Sequence, residues 1–159
     1  MRPDPFNEFV KNVGPDLLAF FARRVSPVED AADCVAETMV VLWRRRDDLP
    51  SAHDTRRAWT FGIARGVLAN YRRSGSRRLA LSDQLRAAIP HTPHGEPDTT
   101  HSELSAALGK LKEADRELVL LVAREGLTLE AAAGILGIKA PAARARYSRA
   151  RSKLREALK

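Results

Sequence analysis

The chain has 159 residues, 44% of them apolar, with a formal net charge of +7 and a pI near 10.2. That length allows one ordinary domain or two small ones, and the basic balance points to a polyanionic partner, nucleic acid before an anionic membrane surface. One cysteine, Cys34, excludes an internal disulfide framework and a cysteine-based zinc finger, and no apolar run approaches membrane-spanning length.

The N-terminal "MRPDPFNEFVKN" breaks with proline and charge at once, unlike a signal peptide, so a soluble cytoplasmic protein in a reducing compartment is expected. Apolar residues then recur at helical spacing almost throughout, and the alternation of half-buried strands is nearly absent. Phe6, Phe9, Val10 and Val13 make one stripe, Gly14-Pro15 is expected to break it, and Leu17, Leu18, Phe21 and Val25 make a second. "SPVED" reads as a helix start, with Ser26 as N-cap, Pro27 at the first helical position and Glu29 completing a capping box. The helix it opens carries Val35, Met39, Leu42 and Trp43, with Cys34 expected as a small buried residue, and ends near "DDLPS". A further helix is predicted from about Thr55 to Arg73, with Trp59, Ile63, Val67 and Tyr71 at four-residue intervals, stopped by Ser74-Gly75-Ser76.

That helix holds the first informative stretch. From Arg65 to Arg78 there are five arginines and no acid, directly after Trp59 and Phe61. Aromatic rings beside a basic track suit single-stranded nucleic acid, whose bases stack on rings while its backbone follows the charge. Trp59, in register with Ile63, is expected in the core; Phe61 lies off that stripe and is the better candidate for exposure. Beyond it the pattern weakens. "IPHTPHGEPDTT" holds three prolines and a glycine, which suits an extended connector. Helical spacing returns with Leu104, Leu108 and Leu111, then Leu118, Leu121 and Val122. The expected fold class is all-α: two small helical domains over 1–78 and 101–159, joined by a flexible linker at 79–100.

The C-terminal "LTLEAAAGILGIKAPAARARYSRARSKLREAL" has the layout of a helix-turn-helix. Thr128 can cap a short helix whose Ala131, Ala132 and Ala133 permit close approach. Gly137 allows the turn, Ile138 plugs the angle, and Pro141 suits the first turn of the second helix. On that helix Ala143, Tyr147, Ala150, Leu154 and Leu158 should pack inward. The opposite face centres on Ala145, Ser148 and Ser152, flanked by Arg146, Arg149 and Lys153 on one side and Arg144, Arg151 and Arg155 on the other. From Arg144 to Lys159 there are seven basic residues and one acid, Glu156. A slim outer face with basic shoulders suits a major groove, where small residues allow depth and arginines reach phosphates or guanine edges.

These motifs together carry a resemblance. "VEDAADCVAETMVVLW" resembles the D-x-x-D-x-x-x-E-x-x-x-x-x-W pattern of region 2 in bacterial RNA polymerase sigma factors of the sigma-70 family, and "RAWTFGIARGVLANYRR" their promoter-melting segment. "LGKLKEADRELVLLVAREGLTLEAAAGILGI" with "RARYSRARSKLREAL" is similar to their region 4. With no room for regions 1.1 or 3, the chain is most similar to the extracytoplasmic-function (ECF, group 4) type. The resemblance implies a region 2-like four-helix domain and a region 4-like helix-turn-helix domain. It also implies an initiation factor that is not an enzyme and uses no cofactor, with core RNA polymerase (the clamp helices and flap of its large subunit), promoter DNA and an anti-sigma protein as partners, and no membrane insertion. Polymerase contacts would fall on Asp30, Asp33, Glu37 and Arg44. Capture of the unpaired −10 strand would fall on Phe61, Arg65, Gly66, Asn70, Arg72, Arg73 and Arg77. Reading of the −35 duplex would fall on Lys139, Ala142, Arg144, Arg146, Ser148, Arg149 and Lys153.

The chain departs from the family's pattern in places. Gly66 stands where Asn is usual, Asn70 where Asp is frequent, Ala36 where Gln is common and Lys139 where Ser is usual; "APAA" also replaces a small-Gly-Thr-Val run. Gly66 is the feature that most favours the alternative, a sigma-like DNA-binding regulator that does not itself support initiation. A metal enzyme would have to use His91, His94, His101, Glu96 and Asp98, which sit in the proline-rich connector with no scaffold to fix their geometry.

Overall fold

The computed structural model describes residues 2–86 and 99–159, the side chains of 76–86 and 99–102 excepted. Among the described residues there are seven α-helices and one 3-10 turn, and no strand. They fall into two compact units, Met1–His91 and Thr92–Lys159.

In the first unit α1 (Pro5–Ala22) packs on α2 (Asp30–Arg44), and α2 packs on α3 (His53–Arg86). Asp4 caps α1, its Oδ1 accepting from the Phe6 amide at 3.1 Å, with Pro5 in the first turn. The expected break at Gly14-Pro15 does not occur, and the two apolar stripes run as one helix with Pro15 exposed inside it. Proline in a helix interior costs about 3 kcal/mol. Burying Val13 on one side of it and Leu17, Phe20 and Phe21 on the other against a single core outweighs that cost. Gly14 lies against α2, where an added Cβ would meet the Met39 methyl at 3.7 Å.

The capping box expected at Ser26 is also absent. The chain turns through 26–29, and α2 begins at Asp30 with no side-chain cap. The Asp30 and Ala31 amides bond the carbonyls of Pro27 and Val28, at 3.1 and 3.0 Å, so the turn itself leads into the helix and Ser26 lies too far ahead of it to act as its cap. Cys34 is buried as expected, beside Ala31, Thr38 and Leu42. Thr38 and Thr60 are fully buried polar residues, and each hydroxyl donates back to its own helix, to Cys34 O and Arg56 O at 2.8 Å. Arg57 ties α3 to α1 through a 2.8 Å ion pair with Asp16.

Ser74-Gly75-Ser76 does not end α3, which continues to Arg86, past the expected linker start at 79. Without proline, these residues cost only fractions of a kcal/mol each to about 1 for glycine, and a helix already nucleated propagates through them into "RRLALSDQLR". The rest of the expected linker, 87–98, lies outside the described residues.

The second unit holds α4 (Thr99–Gly109), α5 (Glu113–Ala123), α6 (Leu129–Leu136) and α7 (Ala140–Ala157). Helices α5, α6 and α7 pack on one another pairwise, and α4 packs on α7. Leu111, Val119 and Ala150 form a buried cluster with Leu108, Tyr147 and Leu154 against it. Leu118, Leu121, Leu127, Ala132, Ala133 and Ala143 are buried as well.

Candidate nucleic-acid and protein interfaces

The α6–α7 turn forms as its local chemistry dictates. Thr128 Oγ1 accepts from the Ala131 amide at 3.1 Å, capping α6. Gly137 closes α6 in the left-handed region at φ 69°, where its amide and that of Ile138 reach back to carbonyls of the last turn. Pro141 occupies the first turn of α7. Lys139 stands at the N-cap with no side-chain cap bond, so the hydroxyl cap that Ser would supply is indeed missing.

Helix α7 then divides by face. Ala143 and Ala150 are fully inward, and Tyr147 and Leu154 are half-buried. Leu158, expected inward, is 48% exposed, because α7 ends at Ala157 and Leu158 lies past the last helical residue. Lys139, Ala142, Arg144, Ala145, Ser148, Arg149, Ser152 and Lys153 are exposed, and Arg146 is half-buried. The −35 candidates therefore lie on one accessible, cationic face with a small-residue centre. Two of its arginines have intramolecular neighbours: Arg151 lies 5.8 Å from the Tyr147 ring centroid, and Arg144 Nη1 lies 3.5 Å from Glu130 Oε1 on α6.

On α2, Asp30, Asp33, Glu37 and Arg44 share a stripe at helical spacing. Asp33, Glu37 and Arg44 are exposed. Asp30 is half-buried and already bonded, its Oδ2 accepting from the Tyr71 hydroxyl at 2.7 Å. That hydroxyl also lies 2.8 Å from Ser26 O, so Tyr71 straps α3 to the turn that opens α2. Desolvation first, and then the bond to the Asp30 carboxylate, push the Tyr71 pKa up to about 12. Burial, followed by the charges of Glu37, Asp30 and Asp33, pushes the Cys34 thiol up, which keeps it protonated and unreactive.

On α3, Arg65, Gly66, Asn70, Arg72 and Arg73 are exposed, and the side chain of Arg77 lies outside the described residues. Arg73 donates to Asn70 Oδ1. A Cβ at Gly66 would meet nothing within 4 Å, so the asparagine usual there would fit without displacing a neighbour. Phe61 is the correction. It is 0% exposed, packed on Phe20 with ring centroids 5.5 Å apart, and cannot stack on a base. The strict four-residue step 59–63–67–71 drifts about 40° per step around a helix of 3.6 residues per turn. The face that packs is Thr60, Phe61, Ala64, Val67 and Leu68, which leaves Trp59 and Ile63 at its edge, half-buried.

Sequence reasoning placed Trp43 among the packing residues of α2, yet it is 50% exposed. Phe6 meets it edge-on at 5.5 Å, and the Arg46 guanidinium lies 4.2 Å from its ring centroid while donating to Trp43 O. Arg45 likewise lies 5.3 Å from the Trp59 ring. The signal was legible in hindsight: three arginines follow Trp43 at the end of its helix. The pairings of Tyr71, expected only as a stripe residue of its helix, and of Glu130 were missed because a pair between helices leaves no trace in local spacing. Among the described residues no three His, Cys, Asp or Glu side chains cluster as metal ligands, and no helix is long and apolar enough to cross a membrane. His91, His94, Glu96 and Asp98 lie outside the described residues, as does the side chain of His101.

Comparison with known proteins agrees with this layout. Residues 9–78 match the family described as "Sigma-70 region 2", and residues 101–154 match "Sigma-70, region 4". The chain is 32% identical over 143 residues to the ECF RNA polymerase sigma factor EcfG of Rhodopseudomonas palustris, covering 88% of this chain and 77% of that protein. It is 31% identical over 157 residues to the ECF RNA polymerase sigma factor SigF of Caulobacter vibrioides, covering 97% and 86%. Its fold is similar to that of the sigma factor RpoE of Bartonella quintana, solved with the anti-sigma factor NepR, at a TM-score of 0.73 and 27% identity over 96% of both chains.

Proposed function

Because the chain belongs to the sigma-70 family, as a sigma factor of the extracytoplasmic-function type, we propose that it binds core RNA polymerase and directs it to particular promoters. The polymerase docks on the α2 stripe of Asp33, Glu37 and Arg44, with Asp30 at its half-buried end. The cationic track of α3, from Arg65 through Arg73, holds the unpaired −10 strand, without the base stacking once expected of Phe61. Helix α7 enters the −35 duplex. The observation that carries this reading is the exposed face of α7, small at its centre and basic on both flanks.

Mechanistically, the chain supplies positioning and charge, and the polymerase supplies the chemistry. Each arginine that neutralises a phosphate releases a condensed counterion, so binding is salt-dependent and largely sequence-independent. Sequence selection comes from the few side chains that reach base edges. Melting follows from preferential binding of the open strand, which shifts the duplex–open equilibrium by no more than the difference in affinity for the two forms. The fold shared with RpoE, solved with an anti-sigma factor, supports an anti-sigma protein as a second partner; work on core polymerase and promoter DNA would place the chain in the cytoplasm.

The test mixes the full chain with bacterial core polymerase and follows co-elution on size exclusion, with Glu37→Arg alongside. The wild type should co-elute and the variant should elute free, because a reversed charge at an exposed docking site replaces attraction with repulsion. Wild-type chain that stays apart from the polymerase yet shifts duplex DNA would replace this reading with that of a stand-alone regulator.

A further inference from the structure

The segment 128–159 carries two acids, Glu130 and Glu156. Glu156 sits in the last turn of α7, away from the end that enters a groove. Glu130 is the second residue of α6 and reaches across to Arg144, the fifth residue of α7, at 3.5 Å. Both side chains are more than half exposed, 57% for Arg144 and 65% for Glu130. Pairs so exposed add little to stability. The one anionic group at the groove-facing end of the motif is thus placed on an arginine that lies where base edges are read.

We propose that Glu130 is a positioning residue for DNA recognition: it holds the Arg144 guanidinium toward the groove and keeps it from the nearest phosphate, which favours discrimination over affinity. This rests on the reading of α7 as the duplex-binding helix. Arginine has five donors in a fixed fork, and the pair with Glu130 engages one nitrogen, leaving the others to address a base edge. An arginine without such a tether settles on phosphate, where attraction is strongest and carries no sequence information. A carboxylate beside it also repels the backbone at any register that brings a phosphate close.

The experiment measures binding of the full chain, alone and with core polymerase, to a mixed-sequence duplex across a salt series. The variants are Glu130→Gln, Arg144→Ala, their combination, and Glu156→Gln as a control with the same change in net charge. Glu130→Gln should tighten mixed-sequence binding several-fold at low salt and steepen the log–log salt slope by about 0.9, the value for one added phosphate contact. The combined variant should lose that gain. Selection from a random duplex pool by the polymerase-bound chain should then recover a less defined sequence with Glu130→Gln than with Glu156→Gln. If Glu130→Gln and Glu156→Gln behave alike, the inference is overturned and the duplex-binding role stands. If the wild type binds no duplex in either format, that role falls and the inference with it.

Discussion

Replacing Tyr71 by phenylalanine removes one hydroxyl and leaves the ring in place. That hydroxyl has a single proton and two acceptors, Asp30 Oδ2 at 2.7 Å and Ser26 O at 2.8 Å, both across the seam between α3 and the start of α2. A hydrogen bond to a charged group contributes about 1.5–3 kcal/mol. Here Asp30 is half-buried and water can replace the lost donor, so we expect a loss of about 1–2 kcal/mol. The pKa gives a ceiling. A rise from 10.0 to about 12 corresponds to at most about 2.7 kcal/mol at 1.36 kcal/mol per pH unit, and screening at a partly exposed site lowers it. The sign follows from the bonded form being the neutral one. The contribution is full below pH 10, where the unfolded phenol is protonated, and is lost as pH rises from 10 to about 12. Both tryptophans, Trp43 and Trp59, lie in the first unit, so tryptophan fluorescence during urea unfolding of the full chain reports on that unit. Tyr71→Phe should lower its stability by the stated amount and remove the decline between pH 10 and 12. In a Tyr147→Phe background the remaining phenol should ionise near 12 by absorbance. Unchanged stability, or strict additivity of Tyr71→Phe with Asp30→Asn, would refute the strap.

Two further substitutions test the core and the turn. Phe61→Ala removes a fully buried ring packed on Phe20 and should cost about 3–5 kcal/mol, seen as loss of the first fluorescence transition at low urea. A base-stacking residue on the surface would leave stability nearly intact. Gly137→Ala puts a Cβ at φ 69°, where nothing crowds it but the backbone disfavours it. It should lower the stability of the second unit by about 1–2 kcal/mol, read as earlier loss of its amide protection in hydrogen exchange.

The elements legible in the sequence were those decided within a few residues. Thr128, Gly137 and Pro141 each act on their own backbone, so their spacing alone specified the α6–α7 turn. The inward alanines of α7 followed from its period. Pro15 was misread because its penalty is local while the burial that overrides it, Val13 with Leu17, Phe20 and Phe21, is tertiary. Ser26 was misread because the chain turns through 26–29 and the helix begins only at Asp30, which puts Ser26 ahead of the N-cap position. The exchange of Trp59 for Phe61 came from taking a stripe at period four on a helix of period 3.6. For the proposed docking stripe on α2 the family resemblance supplied the positions of Asp33, Glu37 and Arg44, and the structure finds all three exposed. The engagement of Asp30 with Tyr71 joins residues forty-one apart, and no local pattern encodes it.

The alanines between α6 and α7 have a consequence for how such a protein can diversify. Ala132 and Ala133 on α6 and Ala143 on α7 are at most 2% exposed, and each brings only a methyl group to the packing of these helices. A bearing that thin has no spare volume, and any larger residue in it would tilt α7. Nothing on the far side of the helix shares that constraint: Ala142, Ala145, Ser148 and Ser152 face outward, with no packing role. The residues proposed to address DNA can therefore be exchanged one at a time while the angle of presentation stays fixed. A change of promoter preference would then require substitutions on one face of one helix, without refolding the unit that carries it.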